Sequence, residues 1–207
     1  MKEEDIRLEN IADTDNEIFA LLKQRYSPRV FKNKTIDEAK IKQLFEAVRW
    51  SASSNNIQPW RFIYAQKGSE AYESIFCCLS DFNRKWANNA PILVLAIYKK
   101  ENSKGQENFH ALHDLGLGLG AMTVQAQYMG IGLHHMAGVD WQKAHKIFNV
   151  PEGFHVSTAI GIGYYGGNLD DLSEDLKAEE TDKRKRIAID QFAFKDTWSN
   201  LKNKNFE

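Results

Sequence analysis

Only two of the 207 residues are cysteine, Cys77 and Cys78, and they are neighbours. Adjacent cysteines do not easily adopt the geometry of an ordinary disulfide. A disulfide framework and a structural zinc site of four thiolates are therefore excluded, and the pair fits a reducing compartment. Long hydrophobic runs are absent as well: the longest apolar stretch spans 91–98, far short of the roughly 20 residues that cross a bilayer. The opening MKEEDIRLEN has no apolar signal-peptide core, so the expected location is the cytoplasm, away from any membrane. Nor is there a surplus of charge. Twenty-seven basic against 28 acidic side chains leave a formal charge of -1, which argues against a general nucleic-acid binder whose affinity comes from neutralising phosphates. Any basic site must be local. What remains, 43% hydrophobic and 27% charged residues spread along the chain, is the composition of one globular domain over 1–207 with a buried core.

Three apolar runs rich in branched or aromatic residues predict strands at 62–65, 92–98 and 157–164. Thr35, with Asp37 and Glu38 behind it, is the expected cap of a helix that sets Ile41, Leu44, Phe45 and Val48 on one face. Further helices are expected at 16–25, 69–82 and 140–148, the last stopped by Pro151. The segment 109–128 is apolar almost all round, as in a helix buried inside a protein or an interface. Its Gly116 and Gly120 lie one turn apart, where they would let a backbone or flat ligand approach, and Gly130 and Gly132 are read as its end. The acidic stretch 170–180 reads as a solvated linker, and 170–207 as that linker plus a C-terminal extension. Helices alternating with strands give a layered α+β or α/β domain.

Three constellations could carry chemistry. In Arg25-Tyr26-Ser27-Pro28-Arg29 the proline fixes a turn or extended geometry, so Arg25, Ser27 and Arg29 share a side. Two guanidinium forks and a hydroxyl suit a phosphate; a loop of scattered surface charge is the alternative. The run Ser51-Ala52-Ser53-Ser54-Asn55-Asn56-Ile57-Gln58-Pro59-Trp60 concentrates uncharged donors and acceptors of the kind a heterocycle needs, or it is a turn with an Asn cap. Lys183-Arg184-Lys185-Arg186 is a targeting signal, a solvated basic patch or half of an anion site. Other signals are weaker. Gly161-Ile162-Gly163-Tyr164-Tyr165-Gly166 spells the dinucleotide fingerprint, but Asp170 and Asp171 follow where a helix should receive a pyrophosphate. The pairs His110/His113 and His134/His135 lack a third ligand at a metal-site spacing, so no metal is expected. Cys77 and Cys78 lack a positive neighbour and read as packing residues.

Taken in order, these elements resemble the FMN-dependent nitroreductase family. Its R-x-S-x-R element is present as Arg25, Ser27 and Arg29, and its P-S-S-x-N-x-Q-P-W element as Ser53 to Trp60, with Ala52 in place of the proline. Met136-Ala137-Gly138-Val139-Asp140, Val150-Pro151-Glu152-Gly153, Gly161-Ile162-Gly163-Tyr164 and the basic pair Arg184 and Arg186 follow in family order. The resemblance implies an α+β fold with a central mixed sheet flanked by helices, and an intertwined homodimer with two FMN sites at its interface. It assigns the FMN phosphate to Arg25, Ser27, Arg29, Arg184 and Arg186, with Tyr26 inside that element. Ser53, Ser54 and Asn56 would line the flavin from the other subunit, and Met136, Ala137 and Gly138 would border it, the Gly138 N–H near its reactive nitrogen. Arg29 or Lys85 is the candidate for positive charge at the pyrimidine edge, and His134 and His135 would flank the ring. Some members carry an acid before that glycine; here it is Ala137, so no catalytic side chain is expected and the chemistry rests on the flavin. The implied activity passes a hydride from NAD(P)H through FMN to a nitroaromatic, quinone or activated alkene in two alternating stages. A flavin-binding sensor or storage protein without turnover is the rival reading.

Overall fold

A computed structural model of the chain describes residues 10–198; the first nine residues of the N-terminal segment and residues 199–207 of the expected extension lie outside the described residues. The elements run α1 (Ala20–Gln24), α2 (Glu38–Arg49), β1 (Trp60–Gln66), α3 (Glu70–Phe76), α4 (Asp81–Ala87), β2 (Ile92–Lys99), α5 (Ala111–Tyr128), β3 (Ile131–Met136), α6 (Trp141–Phe148), β4 (Phe154–Tyr164) and α7 (Glu174–Thr181). The sheet has the order β1-β2-β4-β3. All three pairings are antiparallel, so the parallel part of the expected mixed sheet is not among the described strands, while the α+β layering is.

Strand β2 explains why the sheet has helices on both sides. Ile92, Val94 and Ala96 join a core with Leu44 and Val48 of α2 and Leu115, Leu119 and Met122 of α5. Leu93, Leu95 and Ile97 point the other way, onto Tyr72 and Ile75 of α3, Trp86 of α4 and Leu176 of α7. A strand apolar on both faces must be covered twice, and each fully buried large aliphatic side chain contributes roughly 1.5–3 kcal/mol.

Several boundaries differ from the sequence reading. Helix α2 begins after Asp37 rather than at a Thr35 cap. Gly130, with φ +71°, follows α5, but Gly132 lies inside β3, a strand absent from the sequence reading. A Cβ at Gly132 would stand 2.6 Å from Pro28 Cγ and 2.9 Å from Tyr165 Cε1, so glycine here seats the 25–29 loop on the sheet. Gly116 and Gly120 of α5 face open space, and it is Gly118 that lies against Val48 of α2. The expected helix at 69–82 is two helices, capped by the Ser69 and Ser80 side chains. Between them the chain bridges to the segment after β3: Ser80 N–H donates to Gly138 O (2.9 Å) and Asp140 N–H to Cys78 O (2.7 Å). The expected solvated linker is in part helix α7, because Leu176 and Glu180 are buried.

Candidate functional site

The extended chain after α1 brings Arg25, Ser27 and Arg29 to one wall of a 310 Å³ cavity, and the segment after α7 brings Arg184 and Arg186 to another. Arg25 Nη1 donates to Ser27 Oγ (3.2 Å). Arg184 spends Nη1 and Nη2 on the carbonyls of Arg25 (2.5 Å) and Lys23 (2.9 Å), tying the late basic run to the early loop. Its Nε–H and that of Arg29 are buried without a hydrogen-bond partner among the described residues. Burial, and then the neighbouring guanidiniums, hold the pKa values of Arg25 and Arg184 below the ordinary arginine value, although Tyr165 opposes the trend. Crowded, partly desolvated guanidiniums with unused N–H groups suit an anion of phosphate size.

Two carboxylates also enter this cleft. Glu179 Oε2 accepts from Arg29 Nη2 at 2.6 Å. The carboxylate of Glu180, almost fully buried, accepts the Arg29 backbone N–H at 3.1 and 3.2 Å. The sequence reading treated these acids as part of a linker. Their role comes from helix α7 docking on a loop 150 positions away, for which no local pattern exists.

His134 lies in the same cavity. Its ring packs on Trp86 with centroids 4.2 Å apart, and Nδ1–H donates to Pro28 O (3.2 Å), which leaves Nε2 unprotonated. Burial, followed by the charge of Arg29, pushes its pKa down to about 4. His135 is held at about 4 by burial and then by Arg25. Both are neutral at pH 7 and add no charge to the arginine cluster. Tyr165, buried behind this loop, donates its hydroxyl to Gln127 Oε1 (2.8 Å) and lies 3.2 Å from Tyr26 O.

The other expected positions are distributed unevenly. Met136 is a core side chain, so only its backbone is available to a ligand. Ala137 and Gly138 line a separate 540 Å³ cavity with Ser80, Arg84 and Lys143. A Cβ at Gly138 would point inward, 2.5 Å from Ser80 Oγ and 2.8 Å from Asn83 Nδ2. Asn83, overlooked in the sequence, is buried and donates to Gly138 O (3.1 Å). Lys85, two residues further along α4, is exposed over Phe82 and near Asp175, and lines neither cavity.

Ser53, Ser54 and Asn56 also line neither cavity. Their loop is nonetheless tightly built: Ser54 N–H donates to the buried Asp114 (3.0 Å), Gln58 N–H to Ser53 Oγ (3.1 Å), and Gln58 Nε2 to Asn56 Oδ1 (3.1 Å). Asn55, Asn56 and Gln58 all have positive φ, +49°, +55° and +52°. Such conformations cost of order 1–3 kcal/mol for most non-glycine residues and concentrate at functional positions. Among the described residues there is no cluster of three metal-ligating side chains, and no helix is long and apolar enough to cross a membrane.

The fold that these elements build is an α+β sheet wrapped by helices, with an arginine-lined cleft beside the edge strand β3. The nitroreductase family is the one that matches, over residues 22–82 and 65–164, and the chain belongs to it, a family of oxidoreductase enzymes. It is similar to the uncharacterized 15.4 kDa protein of the ask 5′ region in Mycolicibacterium smegmatis, 25% identical over 138 residues, 65% of this chain and 92% of that one. A Ralstonia nicotianae protein named as an NADH dehydrogenase/NAD(P)H nitroreductase is 23% identical over 155 residues, 65% of this chain and 78% of that one. Among solved structures, an oxidoreductase containing FMN is 27% identical, with 90% of this chain and 96% of that chain covered at a TM-score of 0.85.

Proposed function

We propose that the chain is an FMN-dependent oxidoreductase that takes reducing equivalents from NAD(P)H and delivers them to a nitroaromatic, quinone or activated alkene. The observation that carries this is the arginine cleft with two buried, partnerless guanidinium N–H groups, in a family member similar to an FMN-containing oxidoreductase. Arg25, Ser27, Arg29 and Arg186, with the Nε–H of Arg184, would hold the phosphate, and the backbone of 136–138 would border the ring. When bound, FMN supplies the two-electron chemistry, with the nicotinamide and the acceptor using one place in turn.

The chain's own residues position rather than react. Ser80 N–H and Asn83 fix the carbonyl of Gly138, which sets the direction of the 137–139 backbone. Neutral His134, backed by the buried Trp86, gives the cleft an uncharged wall beside the arginines. With alanine at 137, a proton for the product comes from water.

The active unit is a homodimer in this reading. The amide loop at 53–58 and the arginine cleft do not meet within one chain, and the partner subunit's Ser53, Ser54 and Asn56 would complete the site. Leu112 and Leu117 of α5, and Ile187, Ile189 and Phe192 of the tail, are exposed on the single chain, as surfaces awaiting a second copy would be. The two free thiols suit a cytoplasmic enzyme. Titrating the apoprotein with FMN tests the reading: saturation at one FMN per chain supports it, and no binding at micromolar FMN refutes it.

A further inference from the structure

Helix α7 puts two acids into the anion cleft, and their environments differ. The Glu180 side chain is 1% exposed, and its carboxylate receives the Arg29 backbone N–H twice over. The Asn10 side chain donates to the Glu180 carbonyl at 3.1 Å. Glu180 is thus built into the loop it supports. The Glu179 side chain is 51% exposed, and among the described residues its hydrogen bond is the 2.6 Å contact with Arg29 Nη2. Arg29 itself is only 16% exposed and keeps a buried Nε–H without a partner.

Resting on the FMN reading of the cleft, we propose that Glu179 occupies the Arg29 guanidinium in place of an anion and must release it for the FMN phosphate to bind. Helix α7 thereby sets how tightly the site holds phosphorylated flavin. The physical ground is competition for one donor. A half-exposed carboxylate loses little by returning to water, whereas a phosphate gains charge-assisted bonds from several guanidiniums at once. Exchange is therefore favourable, but the affinity is reduced by the contact that must be broken and by repulsion if the displaced carboxylate stays near. Glu180 takes no part in the exchange: it holds the backbone of the loop, and Arg29 Nη1 is 3.9 Å from its carboxylate.

Competition for phosphate has a signature that a packing role lacks, because riboflavin has the same ring and no phosphate. The test measures FMN and riboflavin binding to apoprotein by flavin fluorescence, for wild type, Glu179→Gln and Glu174→Gln. Glu174 pairs with Lys177 at the other end of α7 (2.9 Å), so its substitution makes the same change in net charge away from the cleft. Glu179→Gln is expected to tighten FMN by about three- to tenfold and to leave riboflavin unchanged, while Glu174→Gln alters neither. Unchanged or weaker FMN binding in Glu179→Gln, with wild type binding FMN, overturns the competition and leaves the FMN reading standing. Equal tightening of both flavins, or the same gain in Glu174→Gln, overturns it too. If wild type binds no FMN, the reading of the cleft fails and this proposal fails with it. Circular dichroism and the melting temperature establish that each variant is folded.

Discussion

Arg186 is the most available of the four arginines in the cleft. Arg184 is engaged with backbone carbonyls, Arg29 with Glu179 and Arg25 with Ser27, whereas the hydrogen bond of Arg186 is to the adjacent carbonyl of Lys185 (2.6 Å). A charge-assisted contact contributes about 1.5–3 kcal/mol, so Arg186→Ala is expected to weaken FMN about ten- to a hundredfold in a fluorescence titration, and unchanged affinity would remove it from the site. At Gly138 the structure adds the direction that a side chain would take. A Cβ there would meet Ser80 and Asn83 rather than a bound ring, so Gly138→Val is expected to lower the melting temperature along with FMN loading. Loss of activity at an unchanged melting temperature would show that the side-chain direction inferred here is wrong. The R-x-S-x-R wall was legible because alternation in an extended chain is a local rule. The acids facing it were not, because they are placed by a helix docking from the far end of the chain.

Among the elements, those set by one uninterrupted pattern could be read: β2 from its apolar run, α2 from its 3.6-residue stripe, α5 from its length and apolarity. Strand β3 was missed because Gly132 and the His134-His135 pair interrupt its apolar alternation, and its glycine is there for Pro28 rather than to stop a helix. Helix α7 was missed because its eight residues, half of them acidic, carry little apolar signal, Leu176 being the one large apolar side chain among them. The split between α3 and α4 was invisible because its cause is tertiary, the bridging of 78–80 to 138–140. Helix α5 carries a prediction. Its buried face is Leu115, Leu119 and Met122, while Leu112 and Leu117 are exposed and Gly116 and Gly120 face open space. Leu117→Glu should leave the circular dichroism spectrum intact and shift the light-scattering mass from dimer to monomer at micromolar concentration. A dimer that persists unchanged would put the interface elsewhere.

For the whole molecule, the two half-buried histidines make stability depend on pH in a defined direction. Each has an ordinary value of 6.5 and a folded value of about 4. Between those values the unfolded chain binds protons that the folded chain refuses, so this contribution is present above pH 6.5 and is lost as the pH falls toward 4. Urea unfolding should therefore show a lower midpoint at pH 5 than at pH 7, with a smaller difference in His135→Asn; equal midpoints in wild type would contradict the burial of these rings as neutral groups. The central claim, that this chain carries electrons on FMN held in its arginine cleft, is tested most directly by one anaerobic absorbance experiment on the FMN-loaded protein. The account predicts that NAD(P)H bleaches the flavin band near the visible blue and that a quinone restores it within the same cuvette. A flavin that binds but is never bleached by either nicotinamide would contradict it and make the chain a flavin carrier instead.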